Sequence, residues 1–60
     1  MTEEIVAELN RMASEGESTA DILEYISETC TKEEKEHIRY VWAQGSPYMA
    51  PAVQVAASLL

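Results

Sequence analysis

The residues of this chain that could carry chemistry are one histidine, one cysteine and several paired glutamates. His37 follows Glu33 by one helical turn, and a Glu/His pair at that spacing can bind a metal ion or move protons. A zinc site with a single thiol and a single imidazole would need acidic side chains as further ligands. A lone histidine on a charged helix face is more often solvated, so we expect no metal site here.

Cys30 is the second candidate, as a nucleophile or a redox switch. It lies between Thr29 and Thr31 at a predicted helix start, where the helix dipole would lower the pKa of a thiol. The alternative is a small apolar core residue at the junction of two helices. We favour this alternative, because a single cysteine cannot form an internal disulfide.

Paired glutamates occur twice, at residues 3–4 and 33–34, in the first turns of predicted helices. Negative charge at that position stabilises the positive end of the helix dipole, so we interpret these residues as helix stabilisers rather than an acid/base pair. The sequence contains no glycine-rich phosphate loop, no Ser/His/Asp set and no cluster of metal ligands. We therefore expect a protein that is not an enzyme and that has no cofactor.

Length and charge narrow the possible partners. The chain has 60 residues and a net charge of −7, and a chain of this size buries only about 60% of its unfolded surface. Its acidity argues against binding to nucleic acid and to anionic membranes, because phosphate binding depends on lysine and arginine.

The N-terminus is acidic where a signal peptide is basic, and the longest uncharged run, 15 residues, is shorter than a membrane span. We expect a cytoplasmic protein that binds a larger protein or a second copy of itself.

Apolar residues at helical spacing predict an all-α fold: a small bundle of three short helices followed by an apolar tail. Helix one is predicted over residues 3–14, capped by Thr2 and ended by Gly16. Helix two is predicted over residues 19–29, with Ser18 as its capping residue. The apolar stripes of these two helices consist of Ile5, Leu9, Met12, Ala13, Ile22, Leu23, Ile26 and Cys30.

The clearest local signal is a capping box formed by Thr31 and Glu34. It predicts that a third helix begins at Thr31, and Gly45 is expected to end it. The predicted buried face of this helix consists of Ile38, Val41 and Trp42. Because Trp42 is the only tryptophan, we expect it to contribute the largest single burial.

The charge distribution divides the chain into an acidic helical domain, residues 1–45, and an uncharged tail, residues 46–60. Residues 46–50 are predicted to be extended or turned, because Pro51 disfavours a helical residue before it. Beyond Pro51 the apolar spacing fits either a short helix or a short strand. Proline at a first helical position favours a fourth short helix.

An apolar tail exposed to water would promote aggregation, so we expect it to be buried against another surface. It can fold back as a fourth helix, pack on a partner protein, or pack on a second copy of the chain. We predict that the partner-binding residues are Trp42, Tyr48, Met49, Val53, Val55, Leu59 and Leu60.

Part of the sequence resembles the first helix of the compact helix-turn-helix in homeodomain-like regulators. The pattern that carries the resemblance is Thr31-x-x-Glu34, Ile38, Val41-Trp42-Ala43-x-Gly45. The resemblance implies a DNA-binding regulator, in which a second helix begins soon after the glycine and a recognition helix follows. This is the second alternative for the function.

The layout of the whole chain resembles a precursor of a ribosomally synthesised, modified peptide (RiPP) of the split borosin type. Short acidic helices, a Thr-x-Glu-Glu helix that ends at Gly45-Ser46, and a neutral tail carry this resemblance. It implies that residues 1–45 bind a separate methyltransferase and that residues 46–60 contain a backbone N-methylated core. The methyl donor, S-adenosylmethionine, would be bound by that partner enzyme. The implied modified positions are Val53, Val55, Leu59 and Leu60.

Overall fold

The computed structural model consists of four α-helices and, in the part of the chain that it describes, no strand. The described residues are 3–45 and 47–60. In chain order the helices are α1 (Glu3–Ser14), α2 (Thr19–Thr29), α3 (Lys32–Ala43) and α4 (Pro51–Ser58). The predicted all-α fold, the bounds of the first two helices and the possible fourth helix are confirmed.

Side-chain caps fix the starts of α2 and α3, as the sequence predicts. Ser18 Oγ accepts a hydrogen bond from the Asp21 amide at 3.1 Å. Thr31 Oγ1 accepts one from the Glu34 amide at 3.2 Å, and Glu34 Oε1 accepts one from the Thr31 amide at 2.8 Å. These bonds satisfy backbone donors that a first helical turn leaves unpaired. The cap predicted at Thr2 lies outside the described residues.

Glycine and proline mark the other helix boundaries. Gly16 and Gly45 have φ angles of +91° and +72°, a conformation that other residues adopt only at a cost. Gly16 follows α1, and Gly45 follows α3, which ends two residues earlier at Ala43. Pro51 is the first residue of α4, where its missing amide hydrogen costs no helical hydrogen bond.

The core is apolar and is assembled around α4. This helix contacts each of the other three, and its contact with α2 is the most extensive. α2 and α3 scarcely touch each other, so α1 and α4, which each contact both, hold them together. The buried hydrophobic residues are Ile5, Leu9, Met12, Ile22, Ile26, Cys30, Ile38, Met49, Val53, Ala56 and Ala57.

The uncharged tail therefore folds back onto the acidic helices. Val53, Ala56 and Ala57 are buried, and their spacing of three and four residues defines one face of a helix. The radius of gyration is 9.9 Å, close to the roughly 10 Å expected of a compact chain of this length. An extended tail would give a larger value.

The prediction that Trp42 is a core residue is wrong, because its side chain is 43% exposed. Ile38 is fully buried, while His37 and Val41 are half-buried. Successive helical residues are rotated by about 100° about the helix axis. His37 and Val41 therefore lie on the same side of Ile38, and this side of α3 faces the core. Trp42 lies on the other side of Ile38 and faces outward.

Charged side chains remain at the surface, and the described residues include no buried polar or charged one. Arg11 forms ion pairs with Glu8 and, at 2.8 Å, with Glu15. The hydrogen bond from the Arg11 guanidinium lowers the pKa of the Glu8 carboxyl below its usual value. No helix within the described ranges combines the length and the apolar character needed to cross a bilayer.

Candidate functional site

The pair of Glu33 and His37 lies on α3, with His37 half-buried beside the core residue Ile38. In residues 3–45 and 47–60, no group of three or more His, Cys, Asp or Glu side chains is arranged to hold a metal ion. A structural zinc ion takes four protein ligands. The structure therefore does not bring further ligands to this pair.

Cys30 lies in the core and is only 8% exposed. It forms the C-terminal cap of α2, where its amide donates to the Ile26 carbonyl at 3.1 Å. Burial raises the pKa of the Cys30 thiol and the charge of Glu34 raises it further, against an opposing effect of Lys35. Because the thiolate is the reactive form, this environment makes the thiol less reactive, not more. The structure agrees with the core interpretation of Cys30.

A polar clamp on α1 fixes the turn that leads into α4. Asn10 Nδ2 donates to the Tyr48 carbonyl at 2.6 Å, and Asn10 Oδ1 accepts from the Ala50 amide at 2.9 Å. Gln54 Nε2 donates to the Met49 carbonyl at 2.7 Å. This clamp was not predicted from the sequence. Its one signal was an asparagine, the only one in the chain, next to the core residue Leu9.

Two exposed aromatic side chains, Tyr40 and Trp42, lie near the C-terminal end of α3. Tyr40 is 62% exposed and Trp42 is 43% exposed. On one side of Trp42 a depression of about 300 Å³ is lined by Glu36, Arg39, Tyr40 and Ala43. On the other side a groove of about 630 Å³ is lined by Ala43, Gly45, Pro47, Met49 and Gln54. We call the surface formed by Arg39, Tyr40, Trp42, Ala43 and Pro47 the Trp42 face.

A second groove, of about 440 Å³, lies between α2 and α3. It exists because these two helices scarcely touch, and the residues that follow α4 line its apolar part. Lys35 Nζ donates to the Ser27 carbonyl across it at 3.4 Å. We call this the cationic groove, and its lining consists of Leu23, Ser27, Lys32, Lys35, Glu36, Arg39, Leu59 and Leu60.

The structure separates the residues predicted to bind a partner into two groups. The exposed group consists of Trp42, Tyr48, Val55 and Leu59, with Tyr48 83% exposed. Met49 and Val53 are buried in the core, and Leu60 is half-buried in the cationic groove. A partner that contacted Val53 would first have to detach α4, whereas the small exposed part of Met49 lies in the groove beside Trp42.

The same division applies to the positions implied by the precursor resemblance. Val55 and Leu59 are 51% and 62% exposed, whereas Val53 is fully buried. Tyr40 and Arg39, which join Trp42 in one surface, were not among the predicted contact residues. Their signal was compositional, because arginine, tyrosine and tryptophan are the residues enriched at binding hot spots.

Comparison of the chain with protein-family models, curated proteins and solved structures gives no significant match.

Proposed function

We propose that this chain is a non-catalytic protein that acts by binding a larger partner protein through the Trp42 face. The observation that carries the proposal is the exposure of Trp42, the only tryptophan, between two depressions. A core of this size would gain from burying an indole, and the fold instead keeps it half in water. Tryptophan, tyrosine and arginine dominate the binding energy of protein interfaces, and all three occur here.

The C-terminal tail has two roles in this proposal. Its inner side, with Met49 and Val53, completes the core and so positions the groove beside Trp42. Its outer side supplies exposed apolar residues, Val55 and Leu59, as further contacts. The tail thus acts as a contact segment in the folded state, in a cytoplasmic protein without a cofactor.

The test is affinity capture with the immobilised protein from a lysate of its native host, analysed by quantitative mass spectrometry. A protein bound through the Trp42 face should be enriched by the wild-type chain and lost with Trp42→Ala. Because Trp42 is already 43% exposed, its truncation should cost less than about 2 kcal/mol of stability, against the ~3–5 kcal/mol typical of a core aromatic. Circular dichroism should show an unchanged helical spectrum.

The matched control is Glu33→Gln, an exposed substitution on the same helix that lines neither depression beside Trp42. It should capture the same protein in the same yield as the wild-type chain. Equal capture by Trp42→Ala and wild type would contradict the proposal. So would unfolding of Trp42→Ala, because the indole would then be a structural residue.

The alternative proposal is the split-borosin-like precursor, in which residues 46–60 are the substrate of a methyltransferase. The observation in its favour is the exposure of Val55 and Leu59 in a segment without charge. Its test is the intact mass of the protein from its native host, with fragmentation of the tail. Additional mass in methyl-sized steps within residues 46–60 would support it, whereas an unmodified tail in the presence of the host's enzymes would leave the binding proposal.

A further inference from the structure

The basic residues of this acidic chain are unevenly distributed. The sequence has four lysines and arginines, and Arg11 is already paired with Glu8 and Glu15. The other three, Lys32, Lys35 and Arg39, all line the cationic groove. Among the described residues none of these three forms an ion pair, although the groove also contains Glu36.

The three cations form a stripe along α3. Their spacing of three and four residues places Lys32, Lys35 and Arg39 on one side of the helix, over about 10 Å of its length. We call these three residues the basic stripe. A ligand with a single carboxylate would neutralise only one of them. A helix that carries carboxylates at the same spacing could meet all three.

Such a helix is present in the chain itself. Asp21, Glu24 and Glu28 repeat the same spacing on α2, and all three are exposed and form no ion pair among the described residues. We call them the acidic stripe. They line a shallow groove together with Glu17, and the half-buried ring of Tyr25 lies in the same groove. The acidic stripe, with its carboxylates around the apolar ring of Tyr25, is complementary to the cationic groove, in which cations surround leucine side chains.

The two stripes cannot meet within one molecule. Leu23 and Ser27 are the α2 residues that face the cationic groove, whereas the acidic stripe lines a different groove of the same helix. At about 100° per residue, the two sides of α2 point roughly 120° apart. Each molecule therefore presents an unmatched basic stripe and an unmatched acidic stripe.

We propose that the acidic stripe of one copy docks in the cationic groove of a second copy. The whole-molecule charge of −7 opposes association, but charges more than about 8–10 Å apart are largely screened at physiological ionic strength. Opposite charges in contact across the groove lie within that distance, so the proposal requires their local attraction to outweigh the net repulsion. Because the two surfaces differ, a single contact between two copies is head-to-tail. In a two-fold symmetric dimer, each acidic stripe would instead dock in the cationic groove of the other copy, which gives two equivalent contacts.

The first test uses the unmodified chain in sedimentation equilibrium across a range of concentrations and salt. We expect a reversible association whose dissociation constant rises roughly tenfold or more between about 0.05 M and about 0.5 M salt, because the stripes are exposed. A chain that remains monomeric at low salt and about millimolar concentration would overturn the proposal. So would an association that salt strengthens, because that behaviour indicates an apolar contact.

The second test exchanges the charges. One triple variant is Lys32→Glu, Lys35→Glu and Arg39→Glu, and the other is Asp21→Lys, Glu24→Lys and Glu28→Lys. Each variant alone should be monomeric, and an equimolar mixture should associate like the wild-type chain. The two variants shift the net charge by equal and opposite amounts, so the mixture has the same total charge as the wild type. Recovery in the mixture therefore reports the pairing of stripes, and its absence contradicts the proposal.

Milder variants keep the test decisive if a triple variant fails to fold. Lys35→Glu and Glu24→Lys, as single substitutions at the centres of the two stripes, should each weaken association and should restore it when mixed. Trp42→Ala separates this inference from the proposed function, since Trp42 does not line the cationic groove, although Arg39 belongs to both surfaces. If Trp42→Ala abolishes self-association while the charge exchange has no effect, the copies meet through the Trp42 face and the stripes do not pair.

Discussion

At the scale of single residues, Asn10 has a role that its place in the sequence does not reveal. Its side chain bonds to Tyr48 and Ala50, which lie 38 and 40 residues away along the chain. The Asn10 side-chain amide donates to a backbone carbonyl through its nitrogen and accepts from a backbone amide through its oxygen. This pattern fixes which side-chain atom is the nitrogen and which is the oxygen. The bonds hold the turn before α4 against α1.

We predict that Asn10→Ala destabilises the protein by about 1–3 kcal/mol, because it removes the acceptor of the partly buried Ala50 amide and the hydrogen bond to the Tyr48 carbonyl. If the hydrogen bond to the Ala50 amide contributes more than the one to the Tyr48 carbonyl, Asn10→Asp should cost less than Asn10→Ala. A carboxylate still accepts from the Ala50 amide but cannot donate to the Tyr48 carbonyl. Urea unfolding followed by circular dichroism measures both values. Gln44→Ala, at an exposed position after α3, is the control and should change stability by less than about 0.5 kcal/mol. A similar value for Asn10→Ala and the control would show that the clamp adds nothing.

The outward position of Trp42 depends on the rotation of α3 about its own axis, which residue spacing does not fix. The spacing of Ile38, Val41 and Trp42 allows either Val41 or Trp42 to share the inner side of α3 with Ile38. Which of them does so depends on the rotation of the helix, and neighbouring helices set that rotation. Packing against α1 and α4 selected the His37 and Val41 side.

At the scale of secondary-structure elements, local sequence signals were sufficient for the bounds of α1 and α2 and for the start of α3. The capping box at Thr31, the cap at Ser18 and the left-handed Gly16 operate within a few residues of one another, so no tertiary contact is needed to recognise them. For the segment after Pro51, the spacing fitted a helix or a strand. The structure contains a helix, because Val53, Ala56 and Ala57 fill the space between α2 and α3.

Two identical substitutions in α4 test this element. Val53 is fully buried and Val55 is 51% exposed, so the same change samples the two sides of one helix. We expect Val53→Ala to cost about 2 kcal/mol through lost burial and a cavity. Val55→Ala should be neutral or slightly stabilising, because alanine has the higher helix propensity.

Thermal and urea unfolding of both variants measure the difference. In a strand Val53 and Val55 would face the same side, so equal costs for the two substitutions would contradict the helix. Val55→Ala also serves the binding proposal, because it removes an exposed contact while leaving the core intact.

At the scale of the whole molecule, α4 completes a core that the first three helices cannot close. A 60-residue chain has only about 3–5 kcal/mol of stability from a single core. Met49 and Val53 are both buried, and each contributes about 1.5–3 kcal/mol by its removal from water. The two contributions together are comparable to the whole free energy of unfolding, so we expect the folding of the acidic domain to depend on the tail.

We therefore predict that a chain of residues 1–46 loses cooperative thermal unfolding and chemical-shift dispersion. The control is a chain of residues 1–58, which lacks the exposed Leu59 and the half-buried Leu60 and should still fold. Circular dichroism melting and amide NMR spectra compare the two. A cooperatively folded 1–46 chain would contradict the dependence and would favour the precursor interpretation, in which the tail is dispensable for folding.

The sequence by itself determined the all-α class, the bounds of α1 and α2 and the caps of α2 and α3, because these depend on residues within one or two turns. It also determined that an uncharged segment had to be covered. Only the tertiary structure decided that the apolar side of α4 is buried between α2 and α3. It also decided that Trp42 faces outward and that Asn10 holds the turn before α4. These features depend on the relative rotation and distance of helices far apart in the chain, which no local pattern encodes.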